Sequence, residues 1–355
     1  MPAATKGIVK TLMPSEASQL GVSMLLANTY HLCLRPGIDS VTDMGGIHDF
    51  MKWDKPILTD SGGFQAFSLG SLRQIQDDGI WFQSHIDGSR IFFSPEIATS
   101  YQVSLGADII MCLDQCIAFG EPKKAVKEAM ERSYKWAERC KSTFSNKKQS
   151  LFGIVQGGIY PDIREESTIR TTSLNFEGYA IGGLAVGESK SAMYSTISST
   201  TAALPLDKPR YLMGVGAPED LVQAVDRGVD LFDCALPTRV ARNGSLFTNT
   251  GRINITNTRY RNLNAPIDEE CSCTLCSEFT ASYLHHLFRI RETLGLRLAT
   301  IHNLNFIMVL MKSIRDAISN KTFTSFKNSF TTNYKPTDEA VRIAQKQRWI
   351  KSKGI

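Results

Sequence analysis

The chain has 355 residues, of which 42% are hydrophobic and 21% charged, so it can bury a large core and is neither disordered nor fibrous in composition. Its formal net charge of +5 permits a nucleic-acid partner without requiring one. No apolar run reads as a bilayer span and the N-terminus carries no signal-peptide pattern, which excludes a membrane partner and implies a cytoplasmic protein.

In chain order, short β-prone apolar runs recur at Met24–Ala27, Pro56–Thr59, Ala107–Leu113, Leu151–Val155, Tyr179–Leu184, Arg210–Val215 and Val229–Phe232. Helical patterns lie between several of them; in Pro122–Phe144 the residues Val126, Met130, Tyr134 and Ala137 share one face. Buried strands alternating with helices predict an α/β fold with a helix-covered parallel sheet. The seven runs and a remnant at Met1–Ala4 make eight strands, which favours a closed (β/α)8 TIM barrel. No glycine-rich dinucleotide fingerprint follows an early strand, so an open nucleotide-binding sheet is disfavoured. Asp60, Asp114, Gln156, Gly183, Gly214 and Asp233 end different strands, on the face where such barrels build their sites.

After Asp233 the pattern changes. Gly244–Thr248 and Gly251–Ile255 read as a hairpin around Asn249–Gly251. A cysteine cluster follows, then a helix from Ser277 to Leu294 stopped by Gly295, then a helix over Ala299–Ser319 with His302 in its first turn. The expected organisation is a catalytic barrel over 1–240, an inserted zinc-binding subdomain over 241–298, a closing C-terminal helix over 299–332 and a basic, solvated tail over 333–355.

Cys271, Cys273 and Cys276 supply three soft ligands within six residues. With one histidine they make the donor set of a closed, structural Zn2+ site. His302, His285 and His286 all qualify on spacing, and helix initiation at His302 favours it. The remaining cysteines, Cys33, Cys112, Cys116, Cys140 and Cys234, lie in or beside apolar runs as reduced small hydrophobes do. A lone carboxylate such as Asp233 is more often a helix cap or a surface charge, and Asp60 reads equally as the N-cap of the next helix. Three carboxylates at one barrel mouth, Asp60, Asp114 and Asp233, instead suit nucleophile, acid/base and base-recognition roles. Arg239 and Arg242 follow at once and suit phosphates.

The stretches Asn28–His31, Thr59–Gln65, Ser84–Gly88, Phe152–Gly157, Ile181–Glu188, Tyr211–Gly216 and Asp233–Arg239 run, with the Cys/His set, along nearly the whole chain. In them the sequence resembles the tRNA-guanine transglycosylases, bacterial queuine tRNA-ribosyltransferase type. That resemblance implies exchange of guanine at the wobble position of GUN-anticodon tRNAs for a 7-deazaguanine base. It implies Asp233 as nucleophile and Asp60 as proton acceptor and donor. The base would be bound by Asp60, Ser61, Gly62, Gly63, Phe64, Asp114, Gln156, Gly183, Leu184 and Met213, with Glu188 supporting the pocket. RNA would be contacted by Gly214, Val215, Gly216, Ala217, Pro218, Glu219 and Asp220, and by Thr238, Arg239, Val240, Ala241 and Arg242. The family's zinc pattern is Cys271, Cys273, Cys276 and His302, and its usual assembly is a homodimer.

Val186 stands where queuine users carry Gly, which points to 7-aminomethyl-7-deazaguanine as substrate. Ala217 stands where many members carry Lys, removing one expected phosphate contact. Relatives also carry a segment ahead of the stretch matching Met1–Thr5, so the first barrel strand and an N-terminal hairpin read as truncated, with an unpaired barrel edge expected. The alternative that follows is a non-catalytic or degraded RNA-binding member. A glycoside hydrolase would have no use for the zinc cluster or the arginines, and an archaeosine-type enzyme would carry further C-terminal RNA-binding domains.

Overall fold

The computed structural model describes residues 1–68 and 73–352. Strands β1 (Leu25–Asn28) and β2 (Ile57–Asp60) pair in parallel, and β3 (Arg73–Gln76), β4 (Gly79–Gln83) and β5 (Arg90–Phe93) form a separate antiparallel sheet. The parallel sheet continues through β6 (Ile109–Met111), β7 (Ser150–Val155), β8 (Gly178–Ile181), β9 (Arg210–Leu212) and β10 (Leu231–Phe232), in the order β1-β2-β6-β7-β8-β9-β10. All seven expected runs are strands, several of them shorter than the apolar run itself.

Residues 1–4 join the two edges of this sheet. Leu26 N–H donates to the Pro2 carbonyl at 3.1 Å, Ala4 N–H to the Leu26 carbonyl at 2.6 Å, and Cys234 N–H to the Met1 carbonyl at 3.2 Å. Met1–Ala4 therefore takes the eighth position between β1 and β10, and the barrel edge expected to be unpaired is paired there.

Period-two alternation sorts the strand side chains. Leu26, Leu58, Met111, Phe152, Ile154, Ala180 and Tyr211 form one cluster that fills the barrel interior. Their neighbours Leu25, Ala27, Ile57, Leu151, Val155, Ile181 and Leu212 belong to the larger core beneath the helices. The helix Lys123–Thr143 buries Val126, Met130 and Ala137 as its periodicity predicts. Tyr134, expected with them, lies at the rim with the Arg170 guanidinium 4.1 Å from its ring centre. The β3–β5 sheet has no counterpart in the expected elements. It packs Phe82 and Phe93 on each other and on Tyr30, beside the turn after β2.

Past the barrel, β11 (Ser245–Thr248) and β12 (Gly251–Asn254) make the expected hairpin. The helix expected over Ser277–Leu294 is two, Thr274–Glu278 and Ala281–Arg289, and Gly295 does not stop it. Gly295 lies inside a buried helix that runs unbroken from Thr293 to Ser319, across the expected boundary at 298/299. A Cβ at Gly295 would sit 2.9 Å from Leu287 Cβ, so this glycine is there to let two helices approach. His302 falls well inside that helix and not in its first turn. The same helix is long and apolar enough to cross a membrane by composition, contrary to the expectation from sequence, but over half of its most apolar window is buried against the rest of the fold. Asn303 ties it down: it accepts the Phe247 N–H and donates to the Pro237 and Ser245 carbonyls, each at 3.0 Å. Two further helices, Phe323–Asn333 and Glu339–Ser352, follow; the second occupies much of the stretch read as a solvated tail.

Gly178 opens β8 directly opposite Phe152, and a Cβ there would lie 2.3 Å from the buried ring. Gly178→Ala is expected to destabilise the fold by about 1–3 kcal/mol through overpacking, read as a lower denaturation midpoint at unchanged slope. An unchanged midpoint would mean that the barrel interior is not packed as described.

Candidate active site and metal centre

The alternation that fills the barrel also delivers its chemistry. Two residues beyond an inward apolar side chain comes Asn28 on β1, Asp60 on β2, Gln156 after β7, Met213 after β9 and Asp233 after β10. Each sits one step above the packed interior, at the C-terminal end of its strand.

Asp60 is held from three sides. Thr29 N–H donates to its Oδ1 at 3.1 Å, Gln65 Nε2 to its Oδ2 at 2.7 Å, and Asn28 Nδ2 also donates to Oδ2. Burial outweighs these donors and pushes the Asp60 carboxyl up to about 6, and the charge of Asp233 adds to the rise. Asp233 accepts the Tyr211 hydroxyl at 2.6 Å and the Gly214 N–H at 2.7 Å, both on Oδ1. Burial raises its carboxyl too, against the pull of Tyr211. Burial and then the Asp233 charge hold the Tyr211 phenol well above its usual range, so it remains a donor; it also senses Asp60. The two carboxylates therefore lie close enough to act on each other and on Tyr211.

Asp114 joins them through the turn after Asp60. A Cβ on Gly63 would lie 2.5 Å from both the Asp114 carbonyl and its Oδ1, so only glycine allows that approach. Gln156 Nε2 donates to Asp114 Oδ2 at 2.6 Å, and burial pushes the Asp114 carboxyl up to about 6. Gln156 Oε1 is buried with no hydrogen-bond partner among the described residues, and a Cβ on Gly183 would fall 2.5 Å from it. An orphaned acceptor in a cradle closed to any side chain is a place for a ligand donor. Ser61 and Leu184 are buried, Met213 packs on the interior cluster, and Phe64 stands 42% exposed at the rim.

Glu188 does not open into the cavity. Its carboxylate accepts the N–H groups of Ala185, Val186 and Gly187 at 2.5, 3.0 and 3.1 Å, closing the loop after β8 on itself. Val186 is buried against Cys116. The residue that sequence reasoning missed is Arg164, 1% exposed, which reads as one more charge on a helix surface. Its guanidinium donates to the carbonyls of Gly158, Val155 and Gly182 at 2.8, 2.9 and 2.7 Å. It thereby joins the ends of β7 and β8, which carry Gln156 and Gly183. Asn28, Thr29, Gln65 and Tyr211 stand only within longer motifs; Asn28, Thr29 and Tyr211 reach the carboxylates across neighbouring strands, and Gln65 reaches Asp60 from the helix just after it.

The expected RNA-contacting residues divide. Gly214 is exposed, and Gly216 lies on Cys234, where a Cβ would meet the Cys234 Cβ at 2.3 Å. Val215 and Pro218 are buried and Ala217 is partly so. Glu219 and Asp220 are engaged by Lys190 at 2.5 and 2.8 Å, and Asp220 also accepts the Tyr194 hydroxyl. Thr238, Val240 and Ala241 are buried, whereas Arg239 is exposed and Arg242 half-buried. Among these residues Gly214 and Arg239 are exposed and Ala217 and Arg242 partly so, which leaves these four open to a partner.

The ligand atoms of Cys271, Cys273, Cys276 and His302 all lie within 4.8 Å of one another. His302 Nδ1 is 3.6, 3.6 and 3.3 Å from the three sulfurs in turn. Its Nε2 lies 2.7 Å from the Phe247 carbonyl, so Nε2 carries the proton and the Nδ1 lone pair faces the sulfurs. This donor set fits a metal ion. Of the rival ligands, His285 spends its Nδ1 on the Ile255 carbonyl at 2.7 Å, and neither it nor His286 belongs to the cluster.

A family model described as Queuine tRNA-ribosyltransferase matches residues 1–336. The queuine tRNA-ribosyltransferase of Dehalococcoides mccartyi is 51% identical over 353 residues, 99% of this chain and 90% of that protein. That of Francisella tularensis subsp. novicida is 50% identical over 335 residues, covering 94% and 91% of the two chains. That of Thermoanaerobacter pseudethanolicus is 51% identical over 335 residues, covering 94% and 89%.

Proposed function

The chain belongs to the queuine tRNA-ribosyltransferase family of pentosyltransferases, the tRNA-guanine transglycosylases of queuosine synthesis, and on that premise we propose the following reaction. The enzyme removes guanine from the wobble position of tRNAs with GUN anticodons (those for Asp, Asn, His and Tyr) and installs 7-aminomethyl-7-deazaguanine. One observation carries this reading: a buried carboxylate, Asp60, and a partly buried one, Asp233, sense each other at a single barrel mouth that also holds the unpartnered Gln156 oxygen.

Asp233 attacks the ribose C1′ through Oδ2, since Oδ1 is engaged by Tyr211 and Gly214. The C1′–N9 bond breaks, its electron pair leaves with guanine, and Asp60 supplies the proton. The ribose is left as an ester of Asp233. The incoming base then attacks C1′ from the vacated face, gives its N9 proton to the Asp60 carboxylate and releases Asp233. Two displacements retain configuration, as in retaining glycosidases. Asp114 accepts from the donors on the purine's Watson–Crick edge; Gln156 and the backbone at Gly183–Leu184 complete that edge. Phe64 and Met213 cover the two ring faces. The target base leaves its stack to reach this depth. Backbone at Gly214–Ala217, Arg239 and Arg242 hold the flanking nucleotides.

Cys271, Cys273, Cys276 and His302 would hold one Zn2+ with no open coordination position, stapling the subdomain and taking no part in a reaction step. Eight cysteines without a disulfide suit the cytoplasm, where the tRNA substrate is. The enzyme acts as a homodimer, one subunit reacting while its partner helps hold the tRNA.

With a GUN-anticodon tRNA and radiolabelled guanine, the unsubstituted chain is expected to incorporate label, and Asp233→Asn to lower the rate by at least about 10³. When the base is limiting, the rate should fall about tenfold per pH unit below about 6, where Asp60 is protonated and cannot accept the N9 proton. Incorporation undiminished by Asp233→Asn would eliminate the mechanism, and none by the unsubstituted chain would leave the non-catalytic alternative. Native mass spectrometry should report two chains and one zinc per chain; Cys273→Ser particles that keep full zinc would remove Cys273 from the ligand set. Val186→Gly should raise the use of queuine relative to 7-aminomethyl-7-deazaguanine, and an unmoved ratio would defeat the size argument.

A further inference from the structure

The helix Glu339–Ser352 lies beyond residue 336, where the family match ends, and the reaction described above gives it no part. Its first turn nevertheless reaches the wall of the base pocket. Arg342 Nη2 donates to the Glu188 carbonyl at 3.0 Å, and Glu339 Oε1 accepts the Lys190 N–H at 2.8 Å. The two side chains also pair with each other at 3.4 Å. They grip one short stretch, Glu188–Lys190, from a single turn of helix.

That stretch is a junction between the two loops that follow β8 and β9. On one side the Glu188 carboxylate gathers the N–H groups of Ala185, Val186 and Gly187. On the other, Lys190 Nζ bridges Glu219 and Asp220 at the start of the helix Pro218–Val225. That helix follows Gly214, whose N–H holds Asp233. The first loop is also under strain. Ala185 sits at φ +56°, a left-handed conformation that a residue with a Cβ keeps only where its surroundings over-determine it. The Glu188 carboxylate holds the Ala185 N–H directly, and two charge-assisted hydrogen bonds to the backbone just beyond anchor Glu188 in turn.

We propose that Arg342 and Glu339 are positioning residues for the base pocket: by fixing the backbone at Glu188–Lys190 they hold the loop bearing Leu184 and Val186 in its base-binding shape. They act on affinity for the free base and not on the displacement at C1′. The proposal rests on the guanine-exchange reading, and the experiment separates the two.

In the full-length chain, exchange of radiolabelled guanine into a GUN-anticodon tRNA is measured for Arg342→Ala, Glu339→Ala, Arg342→Lys and Glu339→Gln. The alanine variants should raise KM for guanine roughly three- to tenfold, with kcat and KM for tRNA within about twofold, as loss of one charge-assisted hydrogen bond predicts. Arg342→Lys keeps a charged donor and Glu339→Gln keeps the acceptor oxygen, so both should restore most of the guanine KM. No exchange by the unsubstituted chain defeats the functional reading and this proposal with it. Normal exchange with an unmoved guanine KM in the alanine variants defeats this proposal alone, whether or not their Tm falls. A shift confined to the tRNA KM also overturns it, assigning the helix to RNA contact instead.

Discussion

Burial works against the charge on Asp60, Asp114 and Asp233, and the donors around each decide how much of that charge survives. Asp60 is met by two side-chain amides and a backbone N–H, Asp114 by the single amide of Gln156, and Asp233 by a phenol and a backbone N–H. None of these donors is itself charged. The carboxyls are therefore left with a raised affinity for protons, whereas a lysine or arginine beside them would have pinned them as permanent anions. A site built this way can move protons near neutrality. The buried Arg164 is spent on three carbonyls, and the Met1 amino group, which pulls the Asp233 carboxyl down, is itself held toward its neutral form by burial.

The scaffold makes this arrangement reproducible by keeping backbones close. Gly63 against Asp114, Gly183 against Gln156 and Gly216 against Cys234 are contacts that a methyl group would close. Arg164 then fixes the spacing of β7 and β8 from behind. The Cys/His cluster performs the same service at longer range. His302 and Asn303 lie side by side on the long helix; one faces the sulfurs and hydrogen-bonds the hairpin, while the other ties the hairpin to the helix Leu236–Arg242, directly after Asp233. A metal there would stiffen the segment that presents Arg239 and Arg242.

Strands with both faces buried were legible because their apolar runs are continuous, and the polar residue ending each run marked the barrel mouth. The β3–β5 sheet was not, although Asp77-Asp78-Gly79 and Asp87-Gly88 are turn signals. Its strands are short, and polar residues such as Gln74 and Gln76 alternate with the apolar ones. Gly295 reads as a helix stop because glycine commonly ends helices, and only the approach of Leu287 from another helix explains it. Arg164 was invisible for the same reason: its partners are carbonyls six to eighteen residues away along the chain. The motifs name the base-site residues, but much of what holds them, such as Asn28 on Asp60, Gln156 on Asp114 and Tyr211 on Asp233, is non-local pairing that no single stretch of sequence states.

In the proposed reaction Asp60 must carry a proton when guanine leaves and be without one when the next base arrives. The geometry supplies a reason for the change beyond mass action. Burial sets the Asp60 carboxyl high, and the negative charge of Asp233 raises it further. Esterification by ribose removes that charge. Asp60 is therefore the stronger proton holder while Asp233 is free and the weaker one once Asp233 is bound to sugar, the order the two half-reactions need. Tyr211 is coupled to the same event, because Asp233's charge is also part of what raises its phenol. In that proposed reaction the charge on Asp233 would thus adjust the proton affinity of Asp60 across the barrel mouth through electrostatics.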